Sequence, residues 1–250
     1  MAGLPVFCPF NEAGEVRVYV RNLPHWRQPG ATYFVTFRQD DSIPAKVLAQ
    51  WCDERQRWYR AHGLDPRWQR TEPSRFDTAY ASILRTVRSA FEREQARQLH
   101  HELDQGHGSC VPRQVEPRTK LAEALAFFDG HRLWLGDFVI MPNHCHALIL
   151  PVSDWELADL LGSIKKWSSR EIGLWLLQQP RAVRPNSRRN SKPRFYQQES
   201  YDRIVRDAEE LAAFRRYIAR NAAEAHLPPE AYLYHAAECL DAVTPRPPPP

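Results

Sequence analysis

The sequence predicts an α+β fold, an antiparallel sheet covered by helices. Strand-like runs are few and separated by helical stretches, and two of them, Arg132 to Met141 and His144 to Leu150, follow each other directly. Length agrees: 250 residues suit one domain with elaborations, and eight Trp with eleven Phe can fill its core.

Residues 1–20 are expected to form an arm, in which Glu15 to Arg21 alternates as a short strand or extended segment. Pro24 to Gly30 reads as a turn region. Ala31 to Arg38, β-branched and aromatic throughout, reads as strand. Asp41-Ser42 opens a helix, with Pro44 in its first turn and Val47, Leu48, Trp51 and Trp58 at roughly helical spacing. Trp58 to Pro73 looks irregular. A long helix is expected from Asp77 to Asp104, with Tyr80, Ile83, Leu84, Val87 and Phe91 on one face. Gly106 to Cys110 is a loop, and Glu116 to Asp129 a helix stopped by Gly130.

Beyond the paired strands, Trp155 to Gln179 is expected as a helix with Leu157, Leu160, Leu161, Ile164, Trp167 and Ile172 inward and Lys165, Lys166 and Arg170 outward. Asp207 is an N-cap for a helix running to about Ala225, with Glu209 and Glu210 where the helix dipole favours them. Residues 228–250 are expected to hold a last helix, Glu230 to Leu240, and an extended Pro-rich tail.

Net charge is only +4, but it is unevenly spread. Between Arg181 and Arg206 the basic residues Arg181, Arg184, Arg188, Arg189, Lys192, Arg194, Arg203 and Arg206 face only Glu199 and Asp202. Such a cluster either attracts a polyanion, commonly nucleic acid, or keeps a loop solvated. The five cysteines are odd in number and lack Cys-x-x-Cys spacing, which points to a reducing compartment and away from a structural zinc. Without a basic-then-apolar leader or a membrane-length apolar run, a soluble cytoplasmic protein with no membrane partner is expected.

The chemistry gathers around His144-Cys145-His146. Strand alternation puts His144, His146, Leu148 and Leu150 on one face and Cys145, Ala147 and Ile149 on the other. Paired imidazoles beside the Pro142-Asn143 turn are either part of a metal site or half-buried histidines bonded to backbone. On the helix after Asp207, Tyr217 and Asn221 stand one turn apart on one face. A carboxamide oxygen there can complete a three-ligand set, leaving positions for a phosphate oxygen. Tyr217 is then either a nucleophile aided by a Lewis acid or a core side chain; Tyr201 and Tyr196 are its rivals.

Met141 to His146 resembles the His-hydrophobic-His signature of single-strand-specific tyrosine transposases. The wider set is similar to the REP-associated tyrosine transposases: Arg21-Asn22-Leu23-Pro24-His25-Trp26, Tyr33 to Arg38, Leu103-Asp104 with Gly106, Gly108 and Cys110, Phe128-Asp129-Gly130, Lys165-Lys166-Trp167, and Gln198 to Asp207. The match runs from about Arg21 to Leu227. The resemblance implies a ferredoxin-like antiparallel sheet covered by helices, the HUH endonuclease core, here with extra helices and spanning residues 21–227. It implies Mg²⁺ or Mn²⁺ as cofactor, and cleavage and rejoining of single-stranded DNA beside a palindromic hairpin through a 5′-phosphotyrosine. Carried over by position, His144 and His146 are metal ligands, Asn221 the third ligand and Tyr217 the nucleophile.

The sequence also departs from the pattern. Asn221-Ala222-Ala223-Glu224-Ala225-His226-Leu227 replaces the usual Asn-Pro-Val-x-x-Gly-Leu, Tyr196-Gln197 replaces Trp-Gln, and Cys145 stands where an aliphatic residue is typical. Lys165, Lys166, Arg170, Arg188, Arg189, Lys192 and Arg194 are candidate phosphate contacts, and Trp167 or Tyr196 a candidate for base stacking. Other readings are a catalytically silent hairpin-DNA-binding protein, or a zinc hydrolase using the His pair and a carboxylate. The expected state is a monomer or weak homodimer.

Overall fold

A computed structural model describes residues 7–11, 14, 17–20, 24–179 and 194–237 of the chain. Arg188, Arg189, Lys192 and the Pro-rich run therefore lie outside the described residues. The described strands are β1 (Arg17–Val20), β2 (Pro24–Arg27), β3 (Tyr33–Arg38), β4 (Leu133–Ile140), β5 (His144–Pro151), β6 (Tyr201–Ile204) and β7 (Leu233–His235). The helices are α1 (Ala45–Ala61), α2 (Trp68–Thr71), α3 (Pro73–Ser82), α4 (Arg85–Asp104), α5 (Val115–Ala126), α6 (Leu157–Leu177) and α7 (Ala208–Glu224).

The main sheet has the order β6-β3-β5-β4-β7, antiparallel throughout. Without the edge strand β7, this is strand–helix–hairpin–helix–strand with the last strand beside the first, the ferredoxin-like arrangement. The fold is thus α+β as the sequence implies, and β5 is the central strand. Pleating divides the core in two. Val35, Phe37, Cys145, Ala147 and Ile149 pack under α5 and α6, through Leu121, Leu125, Leu157, Leu160 and Ile164. Phe34, Val139, Met141 and Leu148 pack under α7, through Leu211, Ile218 and Ala222. In β4 the register shifts between Leu135 and Phe138, so both residues reach the α5/α6 side despite their odd spacing.

That shift turns Asp137 inward, 2% exposed, where Oδ2 accepts from Arg215 Nε (3.0 Å) and Oδ1 from Ala237 N (3.0 Å). One carboxylate therefore joins the central sheet, α7 and the segment just past the strand that closes the β4 edge. At the other edge Arg27 and Asp202 form a buried ion pair that holds the β1–β2 hairpin against β6.

Several expectations need correction. Pro24 to Arg27 is strand, not turn: Pro24 starts an edge strand paired with Arg17–Val20, a position where the missing N–H does no harm. The region from Trp58 to Pro73 is more ordered than expected, since α1 continues to Ala61 and α2 follows. The long helix from Asp77 breaks at Ile83-Leu84, both extended, and Leu84 is 73% exposed rather than inward. The corner lets α3 and α4 close around a separate aromatic cluster of Tyr59, Phe76 and Tyr80 with Trp58 and Phe91, the last two stacked at 4.1 Å. Gly130 is left-handed at φ 74°, but α5 has already ended at Ala126. Glu230 to Leu240 does not start as a helix: a 3₁₀ turn (Pro229–Ala231) leads into β7, where pairing with β4 outweighs local helix propensity. Trp167 points outward, 41% exposed.

Gly108 has no substitute. Its φ is +96°, and a Cβ there would lie 2.7 Å from Asp41 O. The close approach pins the loop after α4 to the turn between β3 and α1, where Ser109 N donates to Asp41 Oδ2 (2.9 Å).

At the start of α7, Asp207 Oδ1 accepts from Glu210 N at 2.7 Å. Asp207→Ala is expected to lower unfolding free energy by about 1 kcal/mol, and Asp207→Ser to recover most of the loss. Urea denaturation of the three proteins checks this; equal midpoints would remove the cap from the account.

Candidate active site

The Pro142-Asn143 turn is anchored before it presents anything. Met141 N donates to His144 O at 2.9 Å, closing the hairpin. Asn143, 1% exposed, donates through Nδ2 to Leu103 O (3.2 Å) and His107 O (3.1 Å). Those donations turn its Oδ1 toward His144 Nδ1, 2.7 Å away. An amide oxygen only accepts, so His144 carries its proton on Nδ1 and offers the lone pair of Nε2.

His146, fully buried, sits one pleat further along the same face. Thr36 faces it directly in the β3–β5 register, and Thr36 Oγ1 lies 2.7 Å from His146 Nδ1. Phe34 stacks on the ring at 5.4 Å. From above, α7 brings the other two residues. Tyr217 Oη stands 3.3 Å from His146 Nε2. Asn221, 0% exposed, donates from Nδ2 to Asp104 Oδ1 at 3.4 Å.

By geometry His144 Nε2 and Asn221 Oδ1 are buried without a hydrogen-bond partner, although the Asn221 side chain is close enough to His144 to favour its protonated form against the effect of burial. Each such atom costs about 1–3 kcal/mol, and native proteins tolerate few of them. Both are electron-pair donors, and each is fixed in that role by a bond on its other side. With His146 Nε2 they make a two-imidazole, one-carboxamide set of the kind that suits a divalent cation. Among the described residues no group of three or more His, Cys, Asp or Glu side chains is placed to hold a metal ion.

Burial sets the protonation. It lowers His144 to about 3, helped by His100, and holds His146 well below its usual value, helped by His144 and His100. Both imidazoles are neutral at pH 7, the state that binds metal. Burial raises the Tyr217 phenol far above its ordinary value, and the Asp104 and Glu224 carboxylates push the same way. Asp104 is itself raised to about 6 by burial.

Sequence reading missed four residues here. Thr36 and Asn143 orient the histidine rings, and Asp104 holds the Asn221 amide. His100 stacks on Tyr217 with ring centroids 5.5 Å apart. Asn143 is adjacent to the pair and Asp104 lies in a quoted motif, but His100 sits on a polar helix with no distinguishing spacing.

The candidate phosphate contacts fall elsewhere. α6 covers the opposite face of the sheet from the His pair, so Lys166 and Arg170, though exposed, lie away from Tyr217. Lys165 is half-buried and not outward: its Nζ donates to Gln197 O (3.1 Å), Gln198 O (2.7 Å) and Ser200 Oγ (3.1 Å). Arg194 is exposed and bonds Gln198 Oε1 at 3.0 Å. Tyr196 belongs to the core on the α6 side, bonded to Ser168 Oγ at 3.2 Å, and is no stacking platform. Tyr201 approaches His100 at 5.4 Å and is raised to about 12 by burial, while Tyr217 makes the contact with the His pair. Cys52, Cys110 and Cys145 are free thiols. Among the described residues, no helix is long and apolar enough to cross a membrane.

No family model matches the chain, and no curated protein matches it. A solved structure described as a REP-associated tyrosine transposase bound to a REP hairpin is similar over 83% of this chain and 71% of its own, with 11% identity and a TM-score of 0.38.

Two measurements probe this arrangement. Long-range ¹H–¹⁵N spectra at neutral pH should show His144 as the neutral Nδ1–H tautomer, with Asn143→Ala mixing the tautomers; an Nε2–H ring in the wild type would contradict the assignment. Lys165→Met should lower unfolding free energy by about 1–3 kcal/mol, by stripping the donor from residues 197–200. An unchanged melting curve would return Lys165 to the surface.

Proposed function

We propose that the chain is a metal-dependent endonuclease and strand transferase acting on single-stranded or hairpin DNA, with Tyr217 as nucleophile. One observation carries the reading: the Tyr217 hydroxyl stands 3.3 Å from His146 Nε2, beside two buried electron-pair donors that the protein leaves unpartnered. Distant segments spend folding free energy to bring a phenol, two imidazoles and a carboxamide together, and a structural tyrosine needs none of this.

His144, His146 and Asn221 would hold Mg²⁺ or Mn²⁺, and such an ion polarises a phosphate oxygen and stabilises charge in an in-line displacement. Tyr217 supplies the attacking oxygen. The Oη–P bond forms as the P–O3′ bond breaks; the phenolic proton is lost, and the departing 3′ oxygen takes one up. The product is a 5′-phosphotyrosine, which keeps the energy of the broken bond, so a second 3′ hydroxyl can rejoin the strand by the reverse step. A phenol raised by burial and two carboxylates is a poor nucleophile alone, so the site stays quiet until substrate and cation are present. Thr36 and Asn143 hold the rings, Asp104 holds the Asn221 amide, and His100 supports the face of the phenol.

Incubating the protein with Mn²⁺ and a single-stranded hairpin oligonucleotide should give a covalent adduct that resists denaturing electrophoresis. Tyr217→Phe should abolish the adduct, Tyr201→Phe should keep it, and Asn221→Ala should lower its yield at least tenfold. An adduct that survives in Tyr217→Phe would overturn the assignment; its absence from the wild type would leave a DNA-binding protein without this chemistry.

A further inference from the structure

A cavity of about 290 Å³ opens between α1, α4 and residues 197–201. It shares two residues with the surroundings of the active site. Thr36, whose hydroxyl orients His146, forms part of its wall, and so does Tyr201, whose ring meets His100 at 5.4 Å. Its volume is at the small end of ligand sites, which run from about 300 to 1,000 Å³. That suits one planar group rather than a chain.

The lining selects among small ligands. Trp51, with Leu48 and Leu99, gives an aromatic and apolar wall. Gln197 and Glu199 add a carboxamide and a carboxylate that can donate to and accept from a ring edge, and Gln95, whose Nε2 already donates to Gln98 Oε1 (3.3 Å), adds an amide oxygen. A phosphate site would be built from cations and N–H donors. Here Arg38 and Arg55 share the lining with Glu199, and Arg38 Nη1 is already bonded to Gln39 O (3.3 Å) and Ser42 Oγ (3.2 Å). The Gln197 side chain makes no hydrogen bond within the described residues, although its backbone is held on both sides by Arg38 and Lys165. An aromatic face beside free amide chemistry is how proteins take up a splayed, unpaired base.

We infer that this cavity binds one unpaired nucleobase of the DNA strand, in a nucleotide close to the phosphodiester presented to Tyr217. The inference rests on the nuclease reading for which strand is bound, but not on its chemistry. Trp51 stacks the base, and Gln95, Gln197 and Glu199 read its edge. Half of the lining comes from α1 and α4 and the rest from β3 and residues 197–201, so the helices between β3 and α5 share with that segment the task of choosing the base. Neither Trp51 nor Gln197 belongs to the set around His144, His146 and Tyr217.

The test uses the full chain and fluorescein-labelled DNA hairpins whose single-stranded extensions are first randomised, with the tightest-bound member carried forward. Each extension base is then replaced in turn by an abasic residue, and binding is read by anisotropy in the absence of divalent metal. Loss of one base is expected to weaken binding about 5- to 100-fold, the range of a single stacking contact. Trp51→Ala should flatten that position to the abasic level while leaving the other positions unchanged. Gln197→Ala, which removes no internal side-chain bond, should change which base is preferred there and leave the melting temperature unaltered. It keeps the test decisive if Trp51→Ala fails to fold. A flat abasic scan in the wild type, or an undiminished scan in Gln197→Ala and in folded Trp51→Ala, overturns the inference. Failure to select any binder overturns it together with the nuclease reading. Base-dependent binding without a covalent adduct keeps the pocket and rejects the chemistry.

Discussion

The bond between Asn143 Oδ1 and His144 Nδ1 is the constraint on which the rest of the site depends. Two backbone carbonyls, from the end of α4 and the loop after it, take both hydrogens of the Asn143 amide. The oxygen then has one place to go, and the imidazole one tautomer. The lone pair that points under α7 is therefore decided by a turn and a helix end. Gly108 serves the same end, because its left-handed backbone lets the loop carrying His107 lie against the turn between β3 and α1.

A second layer of fixing comes from α7. The helix is capped by Asp207, clamped by the Arg215–Asp137 pair and seated by Ile218 and Ala222 on Phe34, Val139 and Leu148. A helix held at several points delivers Tyr217 and Asn221 with little freedom to retreat. The Asn221 oxygen is left bare at the centre of this well-packed layer. Cores avoid such atoms unless something repays the desolvation. Two of the buried polar atoms without a hydrogen-bond partner, His144 Nε2 and Asn221 Oδ1, thus belong to the same small site.

Much of this was legible in the sequence. Strand period put His144 and His146 on one side of β5, and helix period put Tyr217 and Asn221 on one side of α7; both periodicities are properties of the backbone and survive into the fold. The cap at Asp207 was legible for the same local reason. What escaped depends on distant partners. Ile83-Leu84 contains no Gly or Pro, and the corner there exists because Tyr80 and Phe91 pack on one cluster. Leu233 to His235 becomes strand because β4 offers an open edge. Lys165 looks like a surface cation on a helical wheel, and only the return of residues 197–200 shows what it holds. His100 has no pattern of its own, and its place is created by the approach of α4 to β5.

The strand that closes the sheet edge comes late in the chain, and it has a bearing on biogenesis. During synthesis the central hairpin emerges long before β7, so β4 presents an unpaired rim and Asp137 lacks the Ala237 amide until the final part of the domain is made. Arg215 and the α7 that carries it also arrive late. The face of β5 that carries His144 and His146 is therefore synthesised well before the helix that covers it, and it stays open until Tyr217 and Asn221 have emerged.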